Sequence, residues 1–553
     1  MDMEIDKEKL RSELERVCTT KNYKFAYGTA GFRDLSTRLD TVMFTTGIVA
    51  ATRSLTHNGK FTGVMITASH NPPQDNGVKI VEPNGDMLLP AWEPEITHLV
   101  NLASNDTFDN WYAAVLNFIS SKLTDNQSIS NVAGPLTPHI MVAYDSRESS
   151  PHLLDCLLAG VQAWFGSGNV VIKNHGLLTT PQLHYLTSLQ NEDVSVSNYN
   201  HFFQSSWNKL YNNDMAQSLP FDNLFIDTAN GVGSRQLELF LKDWSFPKDR
   251  IHIINNNYTK PSELNVNCGA DFVKTQHRLP QQQQQQHRVI TSRDLCCSFD
   301  GDADRIVFYY QDSNKIFHLL DGDKISTLFA KFLQKLLIKS NLQDQLKLGV
   351  VQTAYANGNS TKYLSETLRV PVSCTKTGVK HLHHEAQSSY DIGIYFEANG
   401  HGTVLFSDKF YSLIKDRMST NESARKLYHF SNIINHTVGD AISDMLGVLI
   451  VLITLGLTPY DWDSEYHDIP NLLTKVIVPD RTLFETTDQE RKLVKPTGLQ
   501  TKIEQCFSKF NQGRSFVRAS GTEDAVRIYC ECSDESQVKL LSKEITDLVL
   551  ASV

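Results

Sequence analysis

Residues Met65–Gly77, MITASHNPPQDNG, begin as an apolar strand and break at once into a polar loop. The loop presents a hydroxyl, an imidazole and an amide in succession at Ser69, His70 and Asn71, and the two prolines that follow stiffen it. A strand that ends in such polar groups is typical of α/β folds, which bind ligands at the carboxyl ends of their strands. The stretch therefore predicts an α/β fold with a functional loop around Ser69.

Similar runs recur along the chain. Apolar stretches that each end in a Gly, Asn, Asp or Ser loop include HIMVAYDSR, NVVIKNHG, NLFIDTANGVG, LGVVQTAYANGNS and DIGIYFEANGHG. Because these runs are apolar on both faces and are separated by helix-length segments, they predict α/β units with mixed or parallel sheets. From about Asp461 the order becomes strand, helix, strand, loop, strand, helix, which predicts a separate small α+β domain.

Composition limits the possible classes of function. The chain has 553 residues, of which 41% are hydrophobic and 21% charged, and this predicts a globular protein of several domains. A net charge of −10 argues against a nucleic-acid partner or an anionic membrane surface. Nine scattered cysteines and a charged beginning without an apolar core predict reduced thiols in a cytoplasmic protein without a signal peptide.

Two stretches stand out by composition alone. The most apolar run, Met445–Tyr460, is shorter than the ~20 residues of a membrane span, so it predicts a buried helix and no membrane partner. The glutamine tract in Pro280–Arg288 has too few apolar residues to build a core, so it predicts a disordered surface loop.

An acidic loop predicts a metal site. The sequence SFDGDADRIVFYY places Asp300, Asp302 and Asp304 at alternate positions, and the small residues Gly301 and Ala303 let the backbone curl so that the carboxylates converge. Clustered negative charges repel one another unless a cation or hydrogen-bond donors compensate them. Ligation by oxygen alone favours Mg²⁺ over Zn²⁺.

A second loop, in SFVRASGTEDAVRIYCEC, combines hydroxyls, guanidiniums and a glycine between two apolar strands. Such hydroxyl, guanidinium and backbone N–H groups suit a tetrahedral anion. No GxxxxGK[ST] nucleotide-binding loop occurs in the sequence. A phosphate cradle is therefore predicted at Arg518, Ala519, Ser520, Gly521, Thr522 and Arg527.

Other candidate contacts lie in glycine-containing turns. In YFEANGHGTVLF, Glu397 and Asn399 offer hydrogen-bonding groups at alternate positions, suited to vicinal sugar hydroxyls, and His401 is a candidate to line the same site. Four basic side chains are candidate phosphate or acid–base groups: Lys376, Lys380 and His381 in CTKTGVKHLH, and Arg33 in YGTAGFR.

With these loops in order, the sequence closely resembles the α-D-phosphohexomutase superfamily. The shared order is a TASHNP serine loop, a DGDADR metal loop, a sugar loop with a Glu, and a RASGTE phosphate loop, and the likeness spans nearly the whole chain. Within the superfamily the motifs GTAGFR, TASHNPPQDNGVK, DTANGVG, CTKTGVKHLH and EANGHG are similar to the phosphoacetylglucosamine mutase branch. Other branches usually carry Ser where this chain has Asn399, after the small Ala398, and the resemblance implies that this variant suits an N-acetyl group.

The resemblance implies three similar mixed-sheet α/β domains and a C-terminal α+β domain around a central cleft. The expected domains are residues 1–180 with the phosphoserine loop, 181–318 with the metal loop, 319–458 with the sugar loop and 459–553 with the phosphate loop. The glutamine tract lies between motifs and is interpreted as a loop insertion.

The reaction implied by the resemblance interconverts N-acetylglucosamine 6-phosphate and N-acetylglucosamine 1-phosphate, in UDP-N-acetylglucosamine biosynthesis. Phospho-Ser69 donates its phosphoryl group to give a 1,6-bisphosphate, which turns over before Ser69 takes back the other group. One Mg²⁺ per active site is expected on the three aspartates and a phosphoserine oxygen, with N-acetylglucosamine 1,6-bisphosphate or glucose 1,6-bisphosphate as primer. Phosphoryl transfer depends on positioning and charge stabilisation, and Arg305 and Lys79 are further candidates for the latter.

Several alternatives stay open at this point. The general base is one of His70, Lys79, Lys380 and His381, and the sequence does not choose among them. A phosphoglucomutase or phosphomannomutase of the same superfamily is the first alternative function, and an inactive sugar-phosphate sensor is a remote one. Small sugar phosphates are the only partners expected, and the oligomeric state is left open.

Overall fold

The structure, a computed structural model, describes residues 5–28, 31–124, 136–281, 290–521 and 524–552. The chain divides into two compact units. The first consists of residues 1–319 and 432–447, and the second consists of residues 320–431 and 448–553. Most of the glutamine tract, and with it the predicted loop there, lies outside the described residues.

The first unit begins with a five-stranded mixed sheet in the order β1-β3-β2-β4-β5. Strand β2 pairs antiparallel with β3 and parallel with β4, and β4 pairs parallel with β5. The strands are β1 (Phe32–Leu35), β2 (Phe61–Ile66), β3 (Asp75–Val81), β4 (His139–Tyr144) and β5 (Val171–Leu177).

A second five-stranded sheet of the first unit has the order β10-β9-β8-β6-β7. Strand β8 pairs antiparallel with β9 and parallel with β6, and β6 pairs parallel with β7. The strands are β6 (Leu224–Asp227), β7 (Ile251–Ile254), β8 (Leu295–Phe299), β9 (Ile306–Gln311) and β10 (Phe317–Leu320).

The second unit contains a four-stranded sheet in the order β12-β11-β13-β14. Strand β13 pairs antiparallel with β14 and parallel with β11, and β11 pairs parallel with β12. The strands are β11 (Leu348–Thr353), β12 (Val372–Thr375), β13 (Ile392–Phe396) and β14 (Gly402–Phe406).

These three sheets share one pattern. Two strands form an antiparallel hairpin, the first hairpin strand pairs with a parallel strand on its other side, and that strand pairs with a second parallel strand. In each sheet the loop between the hairpin strands carries one of the predicted functional motifs. These are the serine loop between β2 and β3, the aspartate loop between β8 and β9, and the Glu397 loop between β13 and β14. The predicted fold class of similar mixed-sheet α/β domains is confirmed, whereas the boundaries after residues 180, 318 and 458 and the arrangement around one cleft stay predictions.

The end of the second unit forms an antiparallel three-stranded sheet, β15-β19-β18, and a separate two-stranded hairpin, β16–β17. The predicted order of strand, helix, strand, loop, strand and helix is present, but the hairpin was not predicted. The strands are β15 (Asn471–Ile477), β16 (Glu485–Thr487), β17 (Lys492–Lys495), β18 (Arg514–Ala519) and β19 (Ala525–Glu531).

Helices fill the segments between the strands. In the first unit they are Lys7–Val17, Asp40–Thr56, Glu93–Asn105, Phe108–Thr124, Ser150–Phe165, Thr180–Ser188, Val196–Leu210, Asn213–Gln217, Val232–Leu241 and Gly269–Gln276. Helix Ala441–Leu455 runs from the first unit into the second. In the second unit they are Gly322–Lys339, Gly358–Lys362, Val379–Ser389, Asp408–Arg417, Glu422–Ser431, Pro459–Asp463, Leu499–Phe507 and Glu535–Leu550.

Two predictions on apolar residues and cysteines are confirmed. Helix Ala441–Leu455 contains residues 445–455 of the apolar run, and nearly all its side chains are buried. Among the described residues, no helix combines the length and the apolar character needed to cross a membrane. The nine cysteines are all described, each is a thiol outside any disulfide, and eight of them are buried.

Two glycines let helices Asp40–Thr56 and Ser150–Phe165 pack backbone against backbone in the core of the first unit. A Cβ atom at Gly160 would stand 2.1 Å from the carbonyl oxygen of Phe44, and a Cβ atom at Gly47 would stand 2.5 Å from that of Leu157. Carbon and oxygen atoms do not approach this closely without a bond, so any side chain here separates the helices.

We expect Gly160→Ala to destabilise the first unit by about 1–3 kcal/mol, the usual cost of overpacking a core. The measurement is the midpoint of urea unfolding, with Gly168→Ala as the matched control because a Cβ atom at Gly168 meets no neighbour within 4 Å. Equal midpoints for the two variants would contradict the close helix contact.

Candidate functional site

The serine loop holds one hydroxyl in a buried position. Ser69 is fully buried and has a left-handed backbone with φ of 55°. Its N–H donates to Thr67 Oγ1 at 2.9 Å, and this bond fixes the turn that directs the side chain inward. Left-handed conformations cost energy for residues other than glycine, and such strain is concentrated at functional sites.

The hydroxyl of Ser69 lies against all three predicted metal ligands. Its Oγ is 2.8 Å from Asp302 Oδ1, 3.1 Å from Asp300 Oδ2 and 3.2 Å from Asp304 Oδ1. The three carboxylates are buried and their oxygens form one compact group. The structure therefore brings Ser69 and the aspartates together, as the sequence predicted.

The two small residues of the aspartate loop, Gly301 and Ala303, have different roles. The left-handed residue is Ala303, with φ of 56°. Gly301 instead permits a close approach, because a Cβ atom there would stand 2.6 Å from the carbonyl oxygen of Ser69. The glycine thus lets the metal loop and the serine loop touch.

Two cationic side chains lie against the aspartates. Lys79 Nζ lies 2.9 Å from Asp304 Oδ2 and 3.2 Å from Asp302 Oδ2, and Arg305 Nε lies 3.7 Å from Asp300 Oδ2. Burial acts to lower the pKa of Lys79, but the two carboxylates outweigh it and the pKa is raised. Burial, followed by repulsion from the other two aspartates, raises the pKa of Asp300 well above its ordinary value.

These residues fit a hard divalent cation. The donor set consists of carboxylate oxygens and one hydroxyl, which Mg²⁺ prefers to sulfur or nitrogen. Burial and mutual repulsion both disfavour the ionised form of Asp300, and a cation bound by the carboxylates would offset both effects. Asp300, Asp302 and Asp304 can therefore hold the metal, with an oxygen on Ser69 beside it.

A buried arginine, which the sequence analysis did not predict as a site residue, holds the serine loop through hydrogen bonds to its backbone. The Arg147 guanidinium donates to the carbonyl oxygens of Ser69 (3.0 Å), Asn71 (2.9 Å), Pro72 (2.6 Å) and Asp75 (2.8 Å). The signal was present in HIMVAYDSR, which places polar side chains directly after a strand, but the run was interpreted only as a strand.

Two more residues hold the same loop in place. Asp145 Oδ2 accepts from Arg147 Nε at 3.0 Å and from the Thr67 hydroxyl at 2.7 Å. Asn265 Nδ2 donates to the Ser69 carbonyl oxygen at 2.9 Å from a distant part of the chain. The serine loop is therefore held by its carbonyl groups, which leaves the hydroxyl to the aspartates.

His70 and Arg33 lie at the same site. The positive charge of Arg305, then burial, lowers the pKa of His70 to about 2, so its imidazole is neutral at physiological pH. Burial followed by Arg305 also lowers the pKa of Arg33, whose Nε is buried without a hydrogen-bond partner among the described residues. Positive charge is thus concentrated around the serine, which suits an anionic ligand.

A second mixed cluster in the first unit differs in chemistry. His152 Nε2 lies 3.1 Å from Asp40 Oδ1 and 3.7 Å from Cys156 Sγ. Burial raises the pKa of the Cys156 thiol to about 12. Its nitrogen and sulfur donors do not suit Mg²⁺, so the aspartate loop is the better magnesium site.

In the second unit, the sugar loop is a tight turn between β13 and β14. The Glu397 N–H donates to the His401 carbonyl oxygen at 2.8 Å, and the His401 N–H donates to Asn399 Oδ1 at 3.0 Å. Glu397, Ala398 and Asn399 are half-buried, whereas His401 is buried. The Glu397 carboxylate and the Asn399 amide therefore remain partly accessible, as a sugar-binding role requires.

The phosphate loop joins β18 to β19, and its cations form a row across the sheet. Arg518 lies directly opposite Arg527, and Arg527 lies directly opposite Lys475 on β15. Directly opposed residues share one face of a sheet, so these three basic side chains point the same way. Lys475 was missed because it lies some forty residues before the motif.

The remaining parts of the cradle are only partly described. Ala519 is half-buried, Ser520 is buried and Gly521 is exposed, and among the residues that the structure describes no atom lies within 4 Å of where a Gly521 Cβ would be. Thr522 lies outside the described residues. The open surroundings of Gly521 leave room for a ligand beside the backbone.

Lys380 and His381 lie in the first turn of helix Val379–Ser389, and Lys376 lies just before it. Lys376 and His381 are exposed, and Lys380 is half-buried. Helix N-termini attract anions because their N–H groups are not used within the helix. The location suits the predicted phosphate contacts.

Family models first define the general class of the protein. The model described as phosphoglucomutase/phosphomannomutase, α/β/α domain I, matches residues 29–106, and that of the C-terminal domain matches residues 473–548. The fold is thus that of the phosphoglucomutase/phosphomannomutase class, the α-D-phosphohexomutases.

The remaining comparisons define the family. Models of phosphoacetylglucosamine mutase AMG1 match residues 191–307 as domain II and residues 321–457 as domain III. The phosphoacetylglucosamine mutase of Saccharomyces cerevisiae is 52% identical over 569 residues, which cover 100% of both chains. The chain belongs to the phosphoacetylglucosamine mutase family, which confirms the resemblance recognised in its motifs.

Solved structures agree. An N-acetylglucosamine-phosphate mutase in a substrate complex has a TM-score of 0.89 and 45% identity over 98% of this chain and 99% of that one. Aspergillus fumigatus N-acetylphosphoglucosamine mutase with GlcNAc-6P and magnesium has a TM-score of 0.88 and 38% identity over 99% of both chains. A serine-to-alanine variant of that enzyme was solved with glucose 1,6-bisphosphate, at 37% identity over 100% of both chains.

We expect Asp302→Asn to weaken binding of Mg²⁺ or its spin-active substitute Mn²⁺ by about 10-fold or more, since one charged ligand is lost. Mn²⁺ titration followed by paramagnetic resonance gives the affinity directly. Because a ligand that binds the folded state stabilises it, added Mg²⁺ should also raise the melting temperature of the wild type more than that of the variant.

Asp249→Asn is the matched control, because the Asp249 side chain is 83% exposed and lies outside the cluster. Equal metal affinity for wild type and Asp302→Asn would remove the aspartate loop from the metal site.

Proposed function

We propose that the protein interconverts N-acetylglucosamine 6-phosphate and N-acetylglucosamine 1-phosphate through a phosphoserine at Ser69 and a 1,6-bisphosphate intermediate. The observation that carries the proposal is the contact of Ser69 Oγ with three buried carboxylates. A hydroxyl held against a metal-binding cluster is placed to carry a phosphoryl group, and family membership supports this activity over that of a phosphoglucomutase or phosphomannomutase.

The phosphoryl group moves in two balanced steps. In the first, the bond between phosphorus and Ser69 Oγ breaks, a bond to the free sugar hydroxyl forms, and the hydroxyl proton passes to a base. In the second, the bisphosphate has turned, Ser69 Oγ attacks the other phosphoryl group, and the sugar oxygen takes up a proton. The base stays one of His70, Lys79, Lys380 and His381.

Some residues around Ser69 stabilise charge, and others hold the serine loop in position. The three aspartates and a phosphoserine oxygen would hold a magnesium ion, whose positive charge would stabilise the charge that develops on the transferring group. Lys79 and Arg305 add fixed positive charge on the protein side of the cluster. Arg147 keeps the serine loop in one conformation, so that the attacking and leaving oxygens stay in line.

In the second unit, Glu397 and Asn399 are proposed to bind the sugar, and Ala398 leaves room for the N-acetyl group. Arg518, Arg527, Ser520, Gly521 and Thr522 are proposed to hold the phosphate that is not reacting. The accessible Glu397 carboxylate and the row of cations support these assignments. Since both phosphates of the bisphosphate take their turn there, the cradle has to accept either orientation.

The setting of the enzyme follows from the same proposal. We place the activity in the cytoplasm, in the supply of UDP-N-acetylglucosamine, with N-acetylglucosamine 1,6-bisphosphate or glucose 1,6-bisphosphate as primer. The four expected domains, 1–180, 181–318, 319–458 and 459–553, each contribute one loop to this chemistry. Small sugar phosphates are the proposed partners.

Ser69→Ala should reduce mutase turnover by at least about 10³-fold, because the covalent carrier of the phosphoryl group is lost. A coupled assay with N-acetylglucosamine 6-phosphate, Mg²⁺ and glucose 1,6-bisphosphate measures the rate, and calorimetry should show that sugar-phosphate binding persists. Ser120→Ala, an exposed serine on helix Phe108–Thr124, is the control. A variant that retains more than a few per cent of the wild-type rate would refute the phosphoserine.

Arg147→Lys should lower kcat by about 10²-fold with a smaller change in KM, because a lysine cannot bridge the four carbonyl groups and Ser69 shifts out of line. The exposed Arg293→Lys is the control. A change confined to KM, with kcat preserved, would assign Arg147 to substrate binding instead of positioning.

A further inference from the structure

The β16–β17 hairpin of the second unit carries a strained turn. Its residues Asp488, Gln489 and Glu490 all have left-handed backbones, with φ of 52°, 56° and 68°. Arg491 holds the turn by donating to the Asp488 carbonyl oxygen and its side chain. Three successive left-handed residues without a glycine cost energy, so we expect contacts made by the side chains of the turn to offset this cost.

The side chain placed by this turn is Glu490. One of its carboxylate oxygens, Oε2, accepts from the Thr377 N–H at 2.8 Å, and the other, Oε1, lies 3.7 Å from Arg518 Nη1. The side chains of Glu490 and Arg518 are 16% and 19% exposed, so the ion pair is only partly screened by water. Glu490 therefore connects the segment that holds Lys376 with the phosphate loop.

Both contacts of Glu490 lie beside groups that attract anions. Thr377 immediately precedes Gly378, the N-cap of helix Val379–Ser389, so the Glu490 carboxylate lies near the positive end of that helix. The Arg518 Nε donates to the Tyr355 hydroxyl at 2.9 Å, and the guanidinium lies over the tyrosine ring. The Arg518 Nη1 donates to the Ala519 carbonyl oxygen at 3.3 Å and also lies 3.7 Å from the Glu490 carboxylate.

We propose that Glu490 is a resident anion of the phosphate cradle, which pairs with Arg518 when no substrate phosphate is bound and is displaced when one arrives. The inference rests on the proposed function, since it assigns the non-reacting phosphate to Arg518. A carboxylate and a phosphate carry the same sign of charge and use the same kinds of donor, so the two compete for this guanidinium.

Charge repulsion explains why such a group is useful. Arg518 faces Arg527 directly across the sheet, and like charges in that position destabilise the pairing. Glu490 offsets this repulsion whenever the phosphate leaves, and the bisphosphate has to leave the cradle each time it turns. The carboxylate thus weakens phosphate binding but eases its release.

The test measures phosphate affinity without turnover. In a Ser69→Ala background, titrations with inorganic phosphate and with N-acetylglucosamine 6-phosphate compare Glu490 with Glu490→Gln. The substitution keeps the shape of the side chain and removes its charge, so we expect Kd to fall by about 10-fold, or about 1.4 kcal/mol. Glu485→Gln, on the same hairpin but in an exposed pair with Lys495, is the control and should leave Kd unchanged.

With Ser69 intact, Glu490→Gln should lower KM and also lower kcat, because the bisphosphate is released more slowly for its turn. A purely structural tether would give the opposite sign, weaker phosphate binding and a raised KM. An unchanged or weakened affinity for phosphate therefore overturns the proposal.

Two features keep the experiment decisive. If Glu490→Gln folds poorly, Glu490→Ala replaces it, because it likewise removes the carboxylate that competes with phosphate, and the same fall in Kd is expected. If the wild type shows no mutase turnover, the proposed function fails on its own, whereas the titration with inorganic phosphate still reports on Glu490.

Discussion

Repulsion among three buried carboxylates is the constraint that the other residues of the serine site have to offset. Asp300, Asp302 and Asp304 share one site away from water, where each uncompensated charge is expensive. Lys79 and Arg305 lie against the carboxylates and offset part of this repulsion. Burial, followed by repulsion from the other two aspartates, still raises the pKa of Asp300, and a divalent cation bound by the ionised carboxylates would offset both effects.

The repeated strand arrangement explains how different chemistries occupy equivalent places. In all three mixed sheets the functional loop joins the two strands of an antiparallel hairpin, and the first of these strands has a parallel neighbour. In the first sheet the hairpin precedes the parallel strands along the chain, whereas in the other two it follows them. The strands therefore have the same arrangement in the three sheets, although they follow one another in a different order along the chain. This indicates that the position of the loop at the end of the hairpin strand is the feature linked to function.

Sequence reasoning succeeded where a signal is local. The alternation of Asp300, Asp302 and Asp304 and the polar break after Met65–Ile66 each lie within a few residues, so the loops and their chemistry were predictable. Arg147 and Asn265 were missed because each acts on the serine loop from 72 or more residues away, and the polar end of HIMVAYDSR gave no indication of which loop Arg147 contacts. The β16–β17 hairpin was missed because its strands are short, largely exposed and rich in charge, unlike the apolar runs that indicate strands elsewhere.

The proposed phosphate site in the second unit also depends on repulsion between like charges, but there the clustered side chains are positive. Pairing of β15, β19 and β18 sets Lys475, Arg527 and Arg518 on one face, where their repulsion works against the sheet that carries them. A cradle with no internal anion would bind phosphate tightly and release it slowly, which suits a binding protein but not an enzyme whose intermediate must turn. A carboxylate close enough to share Arg518 lowers the affinity to a level compatible with turnover. Both sites hold charges of one sign close together, and we expect the share of that charge which the protein itself offsets to set how firmly a ligand of opposite sign is bound.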